Sequence, residues 1–172
     1  TRLSEMFARA RAEKRLALMP FMTVGYPDLD TSFELMQAMV EAGADAIEVG
    51  IPFSDPLAEG PTIQRSSHAA LLGGTTPADA IDIVARLRKA GVAVPLILMG
   101  YFNTFLAQGE ERFISDAARA GADGLIISDL PPEESDETLA HCRGNGLDLI
   151  YLLAPTSDDA RIEQVLTRAG GF

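Results

Sequence analysis

The sequence predicts an α/β protein built as a parallel (β/α)8 TIM barrel, here incomplete: an opening helix followed by about five βα units. Three observations predict it. The segments Glu41 to Gly50, Lys89 to Met99, Arg119 to Ser128 and Asn145 to Leu153 share one grammar, in which a glycine closes a helix and an apolar strand follows. Amphipathic stretches at helical spacing lie between them. Polar residues collect at or just past strand C-termini (Thr23, Glu48, Asn103, Ser128, Asp129), the end of a barrel that carries the active site. A doubly wound sheet also alternates strands and helices, but no Gly-x-Gly-x-x-Gly follows any strand.

Taken in order, Leu3, Met6, Phe7 and Ala10 mark the opening helix, and strands are expected at about 17 to 23, 46 to 49, 94 to 99, 124 to 128 and 149 to 153. A sixth is expected to begin at Phe172. The helices between them are marked by Phe33, Met36 and Val40; by Ala80, Ile83, Val84 and Leu87; by Ile114, Ala117 and Ala118; and by Ile162, Val165, Leu166 and Ala169. Helix starts are signed by Thr31 with Glu34, by Thr76 before Pro77 with Asp79, and by Ser157 before Asp158 and Asp159. Successive strands start about 25 to 30 residues apart, except that the second and third are separated by nearly twice that. The excess is a Pro/Gly-rich loop from Gly50 to Pro61 and a short helical segment through His68. A loop of that length at the catalytic end points to function.

Composition sets outer bounds. With 172 residues and 47% hydrophobic content, the chain suits a single domain spanning residues 1 to 172, and is short of the about 250 residues that a (β/α)8 barrel takes. Part of a longer barrel is the expectation. Fourteen basic and twenty-five acidic residues give a net charge of −11 with no basic run, which argues against nucleic acid and anionic membrane surfaces as partners. One cysteine, Cys142, and two histidines, His68 and His141, form neither a disulfide framework nor a zinc spacing. No apolar stretch reaches membrane-spanning length and no signal peptide opens the sequence, so a cytoplasmic location is expected.

The chemistry begins at Glu48. In the strand Ala46, Ile47, Glu48, Val49 the pleat sends Ile47 and Val49 one way and Ala46 and Glu48 the other. If the apolar side lies against helices, Glu48 points into the opposite space, where desolvation raises its pKa and fits it to exchange protons near neutral pH. Two more carboxylates, Asp55 and Glu59, follow in the loop.

The run Ile51-Pro52-Phe53-Ser54-Asp55-Pro56-Leu57-Ala58-Glu59-Gly60-Pro61-Thr62-Ile63-Gln64 resembles the tryptophan synthase alpha subunit family. So do Pro20 to Pro27 before it and Ser128 to Ser135 after it, and the similarity runs along the whole chain. The resemblance implies a lyase in tryptophan biosynthesis that cleaves indole-3-glycerol phosphate to indole and glyceraldehyde 3-phosphate. It implies a tryptophan synthase beta subunit as partner in an alpha2-beta2 complex, with pyridoxal phosphate on that partner and no cofactor on this chain. By similarity Glu48 is the proton shuttle and Glu59 holds the indole N–H, although the family usually carries aspartate at this second position. Phe21, Met99, Tyr101, Ile126, Ser128 and Leu152 match the walls of the indole pocket. Pro52, Asp55, Asn103 and Pro131 match the contact surface for the beta subunit, and Asp129 a residue that helps hold the active loop. The substrate phosphate would be held by loops after strands 7 and 8, so these 172 residues by themselves are expected to be inactive.

Other readings compete. A Schiff-base aldolase needs a desolvated lysine, whereas Lys14 and Lys89 both fall on outer helical segments. A metal-dependent aldolase needs clustered histidines. A catalytically idle barrel that only binds a beta subunit remains the alternative.

Overall fold

Side chains alternate between the two faces of a strand, and in this protein the two faces meet different company. The computed structural model describes residues 1–172. The chain runs α1 (Arg2–Ala12), β1 (Phe21–Thr23), α2 (Leu29–Glu41), β2 (Ile47–Gly50), α3 (Pro61–Leu72), α4 (Pro77–Lys89), β3 (Leu96–Gly100), α5 (Phe102–Gln108), α6 (Glu110–Ala120), β4 (Gly124–Ile127), α7 (Asp136–Gly144), β5 (Asp148–Ile150) and α8 (Asp159–Leu166). All five strands are parallel and lie in the order β1-β2-β3-β4-β5.

An order without reversal has no switch point, and the packing agrees with a barrel wall. One face of the sheet (Ile47, Val49, Leu96, Leu98, Leu125, Ile127, Leu149) packs on Met36, Ile83, Leu87, Phe113, Ile114 and Leu139 of the surrounding helices. The other face (Ala46, Ile97, Ile126, Ile150) meets only Leu3 and Met6 of α1 among buried residues. Helices therefore cover the outer side while α1 plugs the inner side. Both surfaces are dry: Ile47, Leu96, Ile97, Leu98 and Leu125 are fully buried, each contributing on the order of 1.5–3 kcal/mol of transfer free energy.

The repeated grammar has a structural meaning at the N-terminal end of the sheet. The glycines after α2, α4, α6 and α7 (Gly43, Gly91, Gly121, Gly146) all have positive φ, which lets the chain reverse from helix to strand without a Cβ clash. Aspartates follow three of them two positions on (Asp45, Asp123 and Asp148), and two of these bind the chain at or before the start of a neighbouring strand. Asp45 accepts the Leu18 N–H at 2.9 Å and a two-pronged contact from Arg15 at 2.7 and 2.8 Å. The Arg15 bonds, and then the Leu18 N–H, hold its carboxyl down at about 2. Asp123 accepts the Leu96 N–H at 2.8 Å and contacts Arg88 at 2.5 Å and Arg2 at 2.9 Å. Arg88 spends its other donors on the carbonyls of Gly121, Val92 and Val94.

Several boundaries differ from expectation. Asp28, not Thr31, caps α2: its carboxylate accepts the Thr31 N–H at 2.8 Å and the Thr31 hydroxyl at 2.7 Å. Asp158, not Ser157, caps α8, while Ser157 turns back to accept the Ala154 N–H at 3.0 Å. The box of Thr76 and Asp79 stands as expected. The segment through His68 is a full helix whose buried side is Ser66, Ser67 and Ala70, small residues that give no apolar stripe. Leu166 is 72% exposed, because α8 ends there and turns Val165 inward instead. Phe172 starts no strand. The chain does return to the β5 edge, where Gly170 N–H donates to the Leu149 carbonyl at 3.0 Å, and the Phe172 ring lies 5.5 Å from that of Phe7.

The Arg88–Asp123 contact is the most buried ion pair, with side chains 14% and 5% exposed. Removing one partner strands the other charge, so Asp123→Asn should lower unfolding free energy by about 3–5 kcal/mol in a urea titration. Asp30→Asn, which breaks the more exposed contact with Arg86, should cost less than about 1 kcal/mol.

Candidate active site

Glu48 stands in the second position of β2, level in register with Phe21 of β1 and Ile97 of β3. Its neighbours Ile47 and Val49 belong to the helix-facing core, so the carboxyl points to the inner side of the sheet, as the pleat predicted. The side chain is half-buried and makes no ion pair, and burial alone raises its pKa. An unpaired carboxyl of this kind is suited to carry a proton in either direction.

The loop after β2 brings the second carboxylate. Gly60 ends it as the cap of α3, with Pro61 opening the helix. The Tyr101 hydroxyl donates to Glu59 Oε2 and accepts the Ala58 N–H at 2.8 Å. The Tyr101 ring, just past β3, stacks on Phe53 with centroids 5.0 Å apart and planes at 24°. Gln64 on α3 donates to the Glu59 carbonyl at 2.9 Å. Burial first, and then the hydrogen bond to Glu59, pushes the Tyr101 phenol up to about 12.

Phe21, Met99, Tyr101 and Glu59 line one cleft together with Phe53, Ile63 and Ser67. Its free space is about 10 Å3, enough for one water. Gly50 makes this tightness possible: a Cβ there would run into the Phe21 ring. Ser128 and Leu152 line a separate, more open cavity of about 380 Å3 with Asp129, Pro131, Tyr151 and Arg161. Ile126 lies deeper, in the inner cluster with Ile97 and Ile150. Leu152 is 56% exposed and so covers little at present. The Ser128 hydroxyl is the one buried side-chain polar atom without a partner.

The four residues matched to a partner surface follow β2, β3 and β4 and so share the C-terminal end of the sheet with Glu48. Asp55 and Asn103 are exposed and Pro131 half-buried, whereas Pro52 is buried and offers a partner almost no surface. Asp129 accepts the Phe102 N–H at 2.7 Å, fixing the start of α5 next to Tyr101. Thr23 is turned to structure, its hydroxyl 2.7 Å from that of Ser66 on α3. Lys14 lies in the turn after α1 rather than on a helix, Lys89 ends α4, and both are exposed. His68 is exposed on α3. Cys142 is fully buried on α7, its thiol pushed up to about 12 by that burial. No three His, Cys, Asp or Glu side chains gather to hold a metal ion, and no helix is long and apolar enough to cross a membrane. Phe53 and the Ala58 N–H were missed in the sequence, since nothing local shows that this loop folds onto Tyr101.

Desolvation of Glu48 has a measurable cost. Its folded pKa lies above the unfolded value, so the folded state is disfavoured once pH rises through that window, and not below it. Glu48→Gln removes the charge and should raise Tm at pH 7 in a thermal melt, with the gain vanishing near pH 3. A variant no more stable than its parent at pH 7 would mean the carboxyl is not desolvated.

Residues 7–172 match the family model described as Tryptophan synthase alpha chain. The tryptophan synthase alpha chain of Roseiflexus sp. is 54% identical over 172 residues, which is 100% of this chain and 66% of that relative. That of Chloroflexus aurantiacus is 51% identical over 100% of this chain and 65% of its own. Tryptophan synthase from M. tuberculosis in its aminoacrylate-bound form superimposes with a TM-score of 0.96 at 40% identity, covering 100% of this chain and 69% of that one. The tryptophan synthase subunit alpha of Legionella pneumophila str. Paris gives 0.95 at 39% identity over 99% and 65%. The chain thus spans about 65% of the length of the curated relatives it matches. Sequence, sheet order and inner-face geometry lead to one conclusion: this chain belongs to the tryptophan synthase alpha chain family.

Proposed function

We propose that the chain supplies the acid/base half of a lyase that cleaves indole-3-glycerol phosphate into indole and glyceraldehyde 3-phosphate. The observation that carries this reading is the unpaired, desolvated Glu48 on the inner face, with a second carboxylate held in the loop that follows. Breaking the carbon–carbon bond takes a proton onto indole C3, which turns the ring into an electron sink. It also takes a proton off the glycerol hydroxyl, so that the aldehyde forms as the bond breaks and the electron pair returns to the ring. Glu48 suits both transfers, because burial raises its pKa and so makes the protonated form easier to reach without removing the carboxylate as a base. Glu59 suits the ring N–H, which becomes more acidic as positive charge develops, and a fixed carboxylate there favours the transition state over the ground state. Phe21 and Met99 beside Glu59 offer apolar contact to an aromatic ring.

The exposed Asp55 and Asn103 support docking of a tryptophan synthase beta subunit at the same end, which would receive indole and carry pyridoxal phosphate itself. No cofactor on this chain is needed for the proton transfers, and a cytoplasmic setting fits the pathway.

The test is indole release by the chain at the full length of its family, continued after Phe172 by the corresponding part of the Roseiflexus relative. Glu48→Gln should lose at least about tenfold in turnover with KM little changed. Glu59→Ala should lose about 3 kcal/mol of transition-state stabilisation, while Glu59→Asp keeps measurable activity. Residues 1–172 alone should release no indole. A full-length parent that stimulates a beta subunit without releasing indole would favour an idle binding role and overturn the lyase.

A further inference from the structure

We propose that Tyr101 is the positioning residue of Glu59: its hydroxyl holds one carboxylate oxygen at the barrel mouth and leaves the other free for the ligand. The inference rests on the reading of Glu59 as the acceptor of the ring N–H. Its geometric basis is independent of that reading.

A phenol offers one donor and a pair of acceptor sites. Here the Ala58 N–H fills the acceptor side at 2.8 Å, which turns the O–H toward Glu59 Oε2. The ring cannot follow the carboxylate if that moves. It is 6% exposed, stacks on Phe53, and leaves a strand whose next backbone N–H, that of Phe102, is fixed by Asp129. A side chain locked by packing on a rigid element is what a positioned group requires. Glu59 is in the opposite situation: it sits in an irregular loop, and a glutamate has one more rotatable bond than an aspartate would have there. Free, that extra torsion would spread the carboxylate over several places, and a misplacement of about 1 Å costs on the order of a hundredfold in rate. Tyr101 removes that freedom. Its ionisation, pushed up to about 12, keeps it a neutral donor across the working range, and the charged groups facing it are Glu59 and Asp129. With its only donor given to Glu59, Tyr101 has no hydroxyl proton left for a ligand.

The variant Tyr101→Phe deletes the hydroxyl and keeps the stacking ring. In the 172-residue chain, with its three tyrosines carbon-13 labelled at Cζ, the Tyr101 signal is the one lost in this variant. Glu59→Gln should lower the pH at which that signal titrates, and Tyr101→Phe should speed exchange of the Ala58 amide. In the full-length enzyme, Tyr101→Phe should lower kcat about tenfold to a hundredfold with KM changed less. Combined with Glu59→Ala it should add nothing further, since both changes remove the same held carboxylate. A Tyr101 titration indifferent to Glu59→Gln, or two substitutions whose effects multiply, would overturn the proposal. A parent that releases no indole would overturn the lyase reading, and the titration would still decide whether Tyr101 holds Glu59.

Discussion

The pleat of β2 is the constraint on which everything at the barrel mouth depends. Its side-chain period of two puts Ile47 and Val49 among the helices and leaves Glu48 alone on the inner face. A slip of one residue would bury a carboxylate against Leu87 and Ile83 and turn two branched apolar side chains into the interior. What forbids the slip is at the other end of the sheet. Asp45 and Asp123 each bind the backbone N–H at or before the start of a neighbouring strand, Leu18 and Leu96, and arginines from α4 and from α1 and its C-terminal turn close over them. The fold thus separates its tasks: ion pairs at strand N-termini fix register, and the opposite end is left for unpaired groups.

This division explains why the two carboxylates differ. Glu48 belongs to a strand that needs no help from its side chain, so nothing neutralises it and burial sets its acidity. Glu59 belongs to a loop with no ladder of its own. Between Phe53 and Gly60 the side-chain ties to the rest of the molecule include the two hydrogen bonds and the stacking contact of Tyr101, the bond from Gln64 and the buried Pro56 ring. One group is placed by the sheet and the other by a single aromatic residue, which makes the second the more sensitive to local change.

Sheet order, the outer core and the orientation of Glu48 were legible in the sequence because they rest on periodicity. Four glycines closing helices and an alternating apolar strand are local signals, and local signals survive in one dimension. The helix that escaped, α5, buries Thr104 and Phe105, and the two that were legible without an apolar stripe, α3 and α7, bury Ser66 and Ser67, and Thr138 and Cys142. Mixed polar and small faces carry no apolar stripe, and their packing is decided by hydrogen bonds such as Thr23 with Ser66 that form only after the chain has folded. The same limit applies at the site. A family motif could name Tyr101 as a wall, but its partner lies 42 residues away in sequence, and only the fold brings a phenol and a carboxylate together.

The cleft lined by Glu59 also bears on how a ring could enter. Space for one water between Phe21, Met99, Tyr101 and Glu59 cannot admit an aromatic bicycle, so a ring approaching Glu59 must either lie above the cleft at the open mouth or displace a wall. Met99 is anchored in a strand, and the Phe21 ring is seated over Gly50. The loop is the softer wall: Leu57 at its tip is 90% exposed, and few bonds cross from it to the barrel. Displacing it would break the Tyr101 contacts that place Glu59. A ligand that keeps Glu59 in position therefore has reason to leave the loop seated and bind over it.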